Sequence, residues 1–558
     1  MRSTMMDVPL QVSSILRHAA PYHGETEIVS RSVEGAVHRT SYGETWPSTK
    51  RLANALIRRG LNAGDRVGTL AWNGYRHLEI YYGVAGAGFV CHTINPRLFP
   101  EQIAFIINHA PDRVLFVELS FVELLESVAD KLTMVEAVVV MTDIAHMPVS
   151  GRLPGLVCYE DLLAAESEHF DWPTLDEDTA AGLCYTSGTT GDPKGVLYSH
   201  RSIILHAMAV CMPDVFALGA CSVAMPVVPM FHVNAWGLPH AAPLVGAKLV
   251  LPGPKLDGAS LHELIMAEDV TFSAGVPTIW MALLDWVRAE GHGFGQLKRV
   301  AIGGSACPPV IFERFRSHGI EVLHAWGMTE TSPVGLANWP KPRHGGRIPE
   351  HEVEFSAKQG RPLFGMEFRV IDDEGKEILH DGVTFANMQV RGPWVASSYF
   401  GIENSAAHAM PGRFETCDAV TMDAEGFVQI VDRTKDVIKS GGEWISSIDL
   451  ENIALAHTDI QEAAVVAKPD ARWGERPLLV VVRRKDAEAS REDLLAHYQG
   501  KVASWWIPND VIFVEALPHT ATGKLLKAKI RELYCRDDQG YGGAEDDALR
   551  LRPLVAPN

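Results

Sequence analysis

Residues 185–195 read Tyr185-Thr186-Ser187-Gly188-Thr189-Thr190-Gly191-Asp192-Pro193-Lys194-Gly195 and follow directly on the apolar Leu183-Cys184. Glycines at 188, 191 and 195 remove the side chains that would keep a polyphosphate away from the backbone. The hydroxyls of Thr186, Ser187, Thr189 and Thr190 can donate to phosphate oxygens, and Lys194 supplies charge. The stretch is not a Walker A loop, because neither Gly188 nor Gly191 is followed by Gly-Lys-Ser/Thr at the spacing that loop needs. A short piece of it would be an ordinary turn, since turns use the same residue types. Eleven residues of this composition behind an apolar run predict a phosphate cradle.

Short β-branched runs flank the cradle on both sides, at residues 114–118, 137–141, 248–251, 270–276 and 299–304. Each is a buried-strand candidate, and the gaps between several of them hold crossover helices. Upstream, Leu52, Leu56, Ile57 and Leu61 fall at helical spacing among basic residues, with Gly60 placed to end the helix. Strand and helix alternation predicts an α/β fold of layered sheets. After about residue 430 the texture changes to a basic, Gly-containing turn and then to three apolar strands, 463–469, 477–484 and 511–517, which predict a smaller second domain. The polar, Gly-rich tail at 536–558 is expected to be poorly ordered.

The chain has 558 residues, enough for more than one domain, and its 47% apolar content excludes a disordered or collagen-like class. A net charge of −19 disfavours nucleic acid as a partner. Eight cysteines, at 91, 158, 184, 211, 221, 307, 417 and 535, form no CxxC pair, which excludes a zinc knuckle and fits a reducing compartment. The first twenty residues lack an unbroken apolar region, and no later run resembles a transmembrane segment. A soluble cytoplasmic protein is the expectation.

Five further stretches keep company with the cradle: PMFHVNAWG (229–237), GGSACPP (303–309), HAWGMTETSP (324–333), DRTKDVIKSGGEWIS (432–446) and PHTATGKLLKAKIRE (518–532). In this order they resemble the adenylate-forming, AMP-binding superfamily, specifically its acyl-CoA synthetase branch. In overall sequence the chain is similar to bacterial medium-chain acyl-CoA ligases and 3-methylthiopropionate-CoA ligases. The resemblance implies an N-terminal adenylation domain over 1–434 and a mobile α+β C-terminal domain over 435–535 that turns about Lys435. It also implies an acid-thiol ligase using ATP, Mg²⁺ and CoA, with a homodimer left open.

On that resemblance the cradle, Thr186 to Thr190 with Lys194, takes the ATP phosphates, and Gly304, Ser305 and Ala306 form a wall for adenine. Trp326, Gly327, Met328 and Thr329 continue the nucleotide site, with Thr329 on the α-phosphate. Glu330, aided by Thr186, would hold Mg²⁺, a hard cation suited to carboxylate oxygen. Asp418 and Arg433 would contact the ribose. His232, Trp236, Gly303 and Trp326 would line the acyl pocket, His232 also beside the thiol tunnel. Lys524 would reach the carboxylate and α-phosphate during adenylation, whereas Lys439, Gly441 and Gly442 would serve the thioester step. Taken singly, a lysine, histidine or tryptophan of this kind is more often a surface charge or core residue.

The family's Thr-Gly-Asp is here Thr416-Cys417-Asp418, so a left-handed backbone at 417 would carry a cost of about 1 kcal/mol and could displace the loop. Amino-acid-activating members place an Asp near the start of the segment equivalent to 231–236, where this chain has Phe-His-Val-Asn-Ala-Trp. A fatty or methylthio acid is therefore expected over an amino acid. A carrier-protein-loading enzyme and a non-catalytic nucleotide sensor are the alternatives.

Overall fold

The computed structural model describes residues 1, 3–186, 192–305, 307–341, 353–372, 374–441, 443–519 and 525–535. The chain divides into two compact units. One comprises Met1–Cys307, Ile311–Phe368 and Gln389–Glu415, and the other comprises Pro308–Val310, Arg369–Met388 and the chain from Thr416 onward. Residues 416–434, expected with the N-terminal domain, fall in the second unit.

Two large sheets build the first unit. The seven-stranded sheet has the order Val157–Cys158, Ala137–Val140, Asp112–Val117, Arg66–Leu70, Val90–Thr93, Ala180–Tyr185, Gly195–Ser199. All its pairs are parallel except the last. Parallel strands are covered on both faces and so read as unbroken apolar runs, and Val138, Val139 and Val140 are indeed fully buried. The nine-stranded sheet runs Arg361–Pro362, Val334–Ala337, Glu321–Gly327, Arg299–Ile302, Phe272–Gly275, Val223–Pro226, Lys248–Leu251, Glu27–Arg31, Val37–Ser41. Its inner strands are parallel and its outer ones antiparallel. The α/β expectation holds, and all five predicted runs are strands.

The helix Tyr42–Arg58 starts where Ser41 accepts the Glu44 N–H. It ends at Gly60, whose φ of 78° lets the Leu61 N–H reach the Leu56 carbonyl. Leu52, Leu56 and Leu61 are buried, but Ile57 is 49% exposed, one helical step of about 100° off the apolar stripe. The expectation that Ile57 faces the core is corrected accordingly.

In the second unit, Ile460–Asp470 pairs antiparallel with Gly474–Arg483, which in turn takes Asp510–Phe513 in parallel. Alternation puts Ala463 and Val465 on one face with the helices Ser447–Leu455 and Arg491–His497, and Ala464 and Val466 on the other with Lys527–Tyr534. The three expected strands are present. Among the described residues no helix is long and apolar enough to cross a membrane.

Candidate functional site

The stretch expected to cradle phosphate begins and ends on a pair of antiparallel strands. Ala180–Tyr185 pairs antiparallel with Gly195–Ser199, with Tyr185 opposite Gly195. The Thr186 N–H donates to the Lys194 carbonyl at 2.9 Å, and the Lys194 N–H donates to Thr186 Oγ1 at 3.2 Å. These two bonds pin the loop's base. Behind it the Tyr185 hydroxyl meets His109 Nδ1 at 2.6 Å, and His109 lies against Gly401. Ser187, Gly188, Thr189 and Thr190, the middle of the cradle, lie outside the described residues.

Four parallel strands of the nine-stranded sheet, Val223–Pro226, Phe272–Gly275, Arg299–Ile302 and Glu321–Gly327, lie side by side. Ligands in open α/β sheets bind beyond such carboxyl ends, and the segments there are 229–236, 303–305 and 327–330. The topology therefore collects His232, Trp236, Gly303, Gly304, Ser305, Trp326, Gly327, Met328, Thr329 and Glu330 at one end of one sheet. Ala306 lies outside the described residues.

After His232 the backbone enters a left-handed turn that the sequence does not advertise. Val233, Asn234, Ala235 and Trp236 have φ between 47° and 57°, and Gly237 follows at 81°. Left-handed backbone costs a non-glycine residue roughly 1–2 kcal/mol, so four in succession must be held by their surroundings. The Tyr81 hydroxyl lies 2.5 Å from the Met230 carbonyl and 3.2 Å from Asn234 Oδ1. On the far side a Cβ at Gly237 would lie 2.7 Å from His206 Nδ1. Burial pushes the His206 pKa down to about 3, so its Nε2 is free of a proton to accept the Val334 N–H at 3.1 Å. The turn leaves Trp236 8% exposed, with its ring 3.2 Å from where a Gly303 Cβ would stand. Gly303 is thus glycine because Trp236 and the Ala325 carbonyl occupy the space.

Trp326 packs its ring on Gly335 and meets Phe368 edge-on at 5.7 Å. A Cβ at Gly327 would collide with the Pro333 carbonyl, and this lets the chain turn into Met328, whose N–H donates to Thr331 Oγ1 at 2.9 Å. The Thr329 carbonyl accepts from Tyr198 at 2.7 Å. Glu330 is 5% exposed. Its Oε1 accepts from the Tyr399 hydroxyl at 2.6 Å, and its carbonyl accepts the Ala396 N–H at 2.8 Å. Lys194 Nζ stands 5.0 Å from the centroid of that same Tyr399 ring. The structure therefore brings together Lys194 and Glu330 through a tyrosine that sequence reasoning missed; its only signal is an aromatic pair before glycine in Ser398-Tyr399-Phe400-Gly401.

Among the described residues no three His, Cys, Asp or Glu side chains cluster as a metal site, and no hydrogen bond reaches Glu330 Oε2. A single carboxylate with one oxygen available fits Mg²⁺ carried in on ATP phosphates, since that ion keeps most of its other ligands as water and phosphate. Thr186 Oγ1 already accepts the Lys194 N–H.

In the second unit Asp418 stands opposite Arg433 across the antiparallel pair Phe414–Met422 and Val428–Arg433. Asp418 Oδ1 lies 3.0 Å from Arg433 Nε, and the Arg433 guanidinium also donates to the Thr416 carbonyl at 3.1 Å. Cys417 does take the left-handed conformation, φ 57°. Its side chain is exposed, and the adjoining Asp418 is buried and paired with Arg433 across the strands. Lys435 is exposed on the turn closed by the Asp436 and Val437 N–H groups on the Arg433 carbonyl. Lys439 lays its ammonium over Trp444 at 5.1 Å, and its N–H donates to Glu475 at 2.7 Å. Gly441 has φ 63° and donates its N–H to the Trp473 carbonyl at 2.7 Å, with the indole 2.9 Å from where a Cβ would lie. Gly442 and Lys524 lie outside the described residues.

One buried network was also missed. Lys527 Nζ lies 2.7 Å from Glu451 and donates to Ser447 at 2.5 Å, and Ser447 donates to Asp432. Burial raises the Glu451 and Asp432 pKa values, with the Lys527 charge opposing that rise. The network fastens the helix Lys527–Tyr534 to the strand that carries Arg433.

The family model of the AMP-binding enzymes matches residues 16–400, and that of the AMP-binding enzyme C-terminal domain matches 449–524. The chain is 50% identical over 533 residues to a 3-methylmercaptopropionyl-CoA ligase of Ruegeria lacuscaerulensis, covering 95% of this chain and 98% of that protein. It is 47% identical over 535 residues to a medium-chain-fatty-acid–CoA ligase of Ectopseudomonas oleovorans, covering 96% and 98%. An anthranilate CoA ligase solved with anthranoyl-AMP superposes with a TM-score of 0.84 over 96% of this chain and 99% of that one, at 24% identity.

Proposed function

The chain belongs to the AMP-binding enzyme family and is an AMP-forming acyl-CoA ligase, and from that premise we propose that its acid is 3-methylthiopropionate or a short or medium-chain fatty acid. The observation that supports this choice is Trp236 folded against Gly303 by the left-handed turn, which sets a buried apolar ring at the end of the parallel strands. A methylthio group is nearly the shape of an ethyl group, and a hydrophobic pocket separates such pairs by only about 1–3 kcal/mol. The names of the two relatives span that same ambiguity.

In the proposed reaction a carboxylate oxygen attacks the α-phosphorus of ATP, the α–β anhydride bond breaks, and pyrophosphate leaves. The CoA sulfur then attacks the acyl carbon and AMP departs with the bridging oxygen. Thr186, Ser187, Gly188, Thr189, Thr190 and Lys194 hold the phosphates, while Thr329 meets the α-phosphate. Asp418, paired with Arg433 at 3.0 Å, takes the ribose hydroxyls. Glu330 would hold Mg²⁺, which would supply charge against the departing pyrophosphate. Lys524 follows the charge that builds on the phosphate oxygens, as a point cation can. The turn at Lys435 lets the C-terminal domain exchange Lys524 for Lys439 and the Gly441-Gly442 loop, so that one acyl pocket serves both steps.

A panel of acids from three to ten carbons, with 3-methylthiopropionate included, assayed for pyrophosphate release with and without CoA, tests the reading. Turnover confined to these acids and coupled to CoA supports it. Turnover with a carrier protein but not CoA, or ATP binding with no pyrophosphate from any acid, refutes it.

A further inference from the structure

We infer that Tyr399 is a positioning residue that aims the Glu330 carboxylate and keeps Lys194 from neutralising it, so that both charges face the phosphates of ATP. The inference rests on the proposed role of Glu330 toward Mg²⁺. Tyr399 is 6% exposed, and its hydroxyl occupies Glu330 Oε1 at 2.6 Å while no hydrogen bond among the described residues reaches Oε2. A hydrogen bond to an ionised acceptor is short and directional, so it fixes which oxygen turns outward. The ring of the same tyrosine presents its electron-rich face to Lys194 Nζ, 5.0 Å from the centroid. A cation–π contact holds an ammonium without cancelling its charge as a carboxylate would. Lys194 has no ion pair among the described residues.

The segment carrying Tyr399 is itself clamped to the cradle. The Ala396 N–H donates to the Glu330 carbonyl and the Phe400 N–H donates to the Gly195 carbonyl, each at 2.8 Å. Gly401 abuts His109, which holds Tyr185 at the other end of the same hairpin. Residues 396–401 thus form a strap across both ends of the phosphate loop, with Tyr399 at its centre. The contact to Glu330 belongs to the hydroxyl and the contact to Lys194 to the ring, which also meets His408 edge-on at 5.1 Å, so the hydroxyl contact can be removed while the ring stays.

The test measures ATP binding by calorimetry, without acid or CoA, across a Mg²⁺ titration. Tyr399→Phe keeps the ring and loses the hydroxyl: the Mg²⁺ concentration that half-restores ATP affinity should rise about tenfold, with Mg²⁺-free ATP affinity unchanged. Tyr399→Leu loses both contacts and should also weaken Mg²⁺-free ATP binding. Glu330→Gln is the control for the underlying reading. If Glu330→Gln leaves the Mg²⁺ dependence native, the metal role of Glu330 fails. If Glu330→Gln shifts it and Tyr399→Phe does not, the positioning role of Tyr399 fails. Tyr399→His, which keeps a ring and an N–H donor, is the second variant should Tyr399→Phe melt early. A Mg²⁺ dependence nearer native than that of Glu330→Gln is expected of it, and a shift as large as that control's overturns the inference.

Discussion

Replacing Trp236 by alanine separates a pocket wall from a core residue. Both side chains begin with a Cβ, so the left-handed backbone at φ 57° costs the same before and after, and the change reports on the indole alone. The indole lies against Gly303 and Gly304 and is 8% exposed, so its removal vacates space beside the ends of the parallel strands. If that space is the acyl pocket, each methylene it admits contributes about 0.8 kcal/mol, roughly fourfold in kcat/KM, and three methylenes about 60-fold. Longer acids should gain by this series until the new floor is reached, while three- and four-carbon acids lose their wall. The assay is kcat/KM for straight-chain acids from three to ten carbons, run beside a thermal melt. A core residue would behave differently, with about 3–5 kcal/mol of lost stability and the chain-length order intact. An unchanged order combined with a large drop in melting temperature would refute the assignment.

Lys524→Ala should slow adenylate formation by orders of magnitude, the loss of about 3–4 kcal/mol typical of a preorganised donor, yet spare thioester formation from supplied acyl-adenylate. Equal damage to both half-reactions would contradict two separate conformations. Gly441→Leu sets a Cβ 2.9 Å from the Trp473 ring at φ 63°, so the thioester step should fall while pyrophosphate release in the first turnover stays near native. Normal CoA kinetics would remove Gly441 from the thiol path. Cys417→Gly relieves the left-handed strain at φ 57° and should raise the melting temperature by about 2–4 °C, with the ATP KM unchanged because Asp418 is already in register with Arg433. A weakened ATP KM would show that Cys417 shapes the ribose site. Burial lifts the Glu79 pKa to about 7 although Tyr159 donates to it. The folded state therefore holds a proton that the unfolded chain has lost, and stability falls as pH rises from about 4.5 to about 7. Glu79→Gln should flatten that fall by up to about 3 kcal/mol, and an unaltered slope between pH 5 and 7.5 would exclude Glu79 as its source.

The strands were legible because parallel strands buried on both faces must be written as unbroken apolar runs, as at 137–140 and 299–302. At 185–195 the glycines and hydroxyls suggested a ligand class, whereas the antiparallel pairing of Tyr185 with Gly195, which holds the ends of that stretch, was not legible. The turn at 233–236 was not legible, because Val, Asn, Ala and Trp carry no preference for left-handed backbone, and it is held by Tyr81 and His206 from distant segments. Tyr399 was hidden for the same reason: its partners, Glu330 and Lys194, lie 69 and 205 residues away along the chain. Ile57, apolar but 49% exposed, lies beyond the buried stripe of Leu52, Ala53, Ala55 and Leu56, an edge that the spacing of apolar residues alone does not draw.

The central claim is that the acid passes through an anhydride with AMP before it reaches CoA, and oxygen labelling tests it most directly. The acid is supplied with both carboxylate oxygens as ¹⁸O, together with ATP, Mg²⁺ and CoA, and the nucleotide product is weighed by mass spectrometry. The account predicts AMP carrying one ¹⁸O, pyrophosphate carrying none, and acyl-CoA retaining the other. Unlabelled AMP, or ADP with labelled orthophosphate in place of AMP, would contradict it.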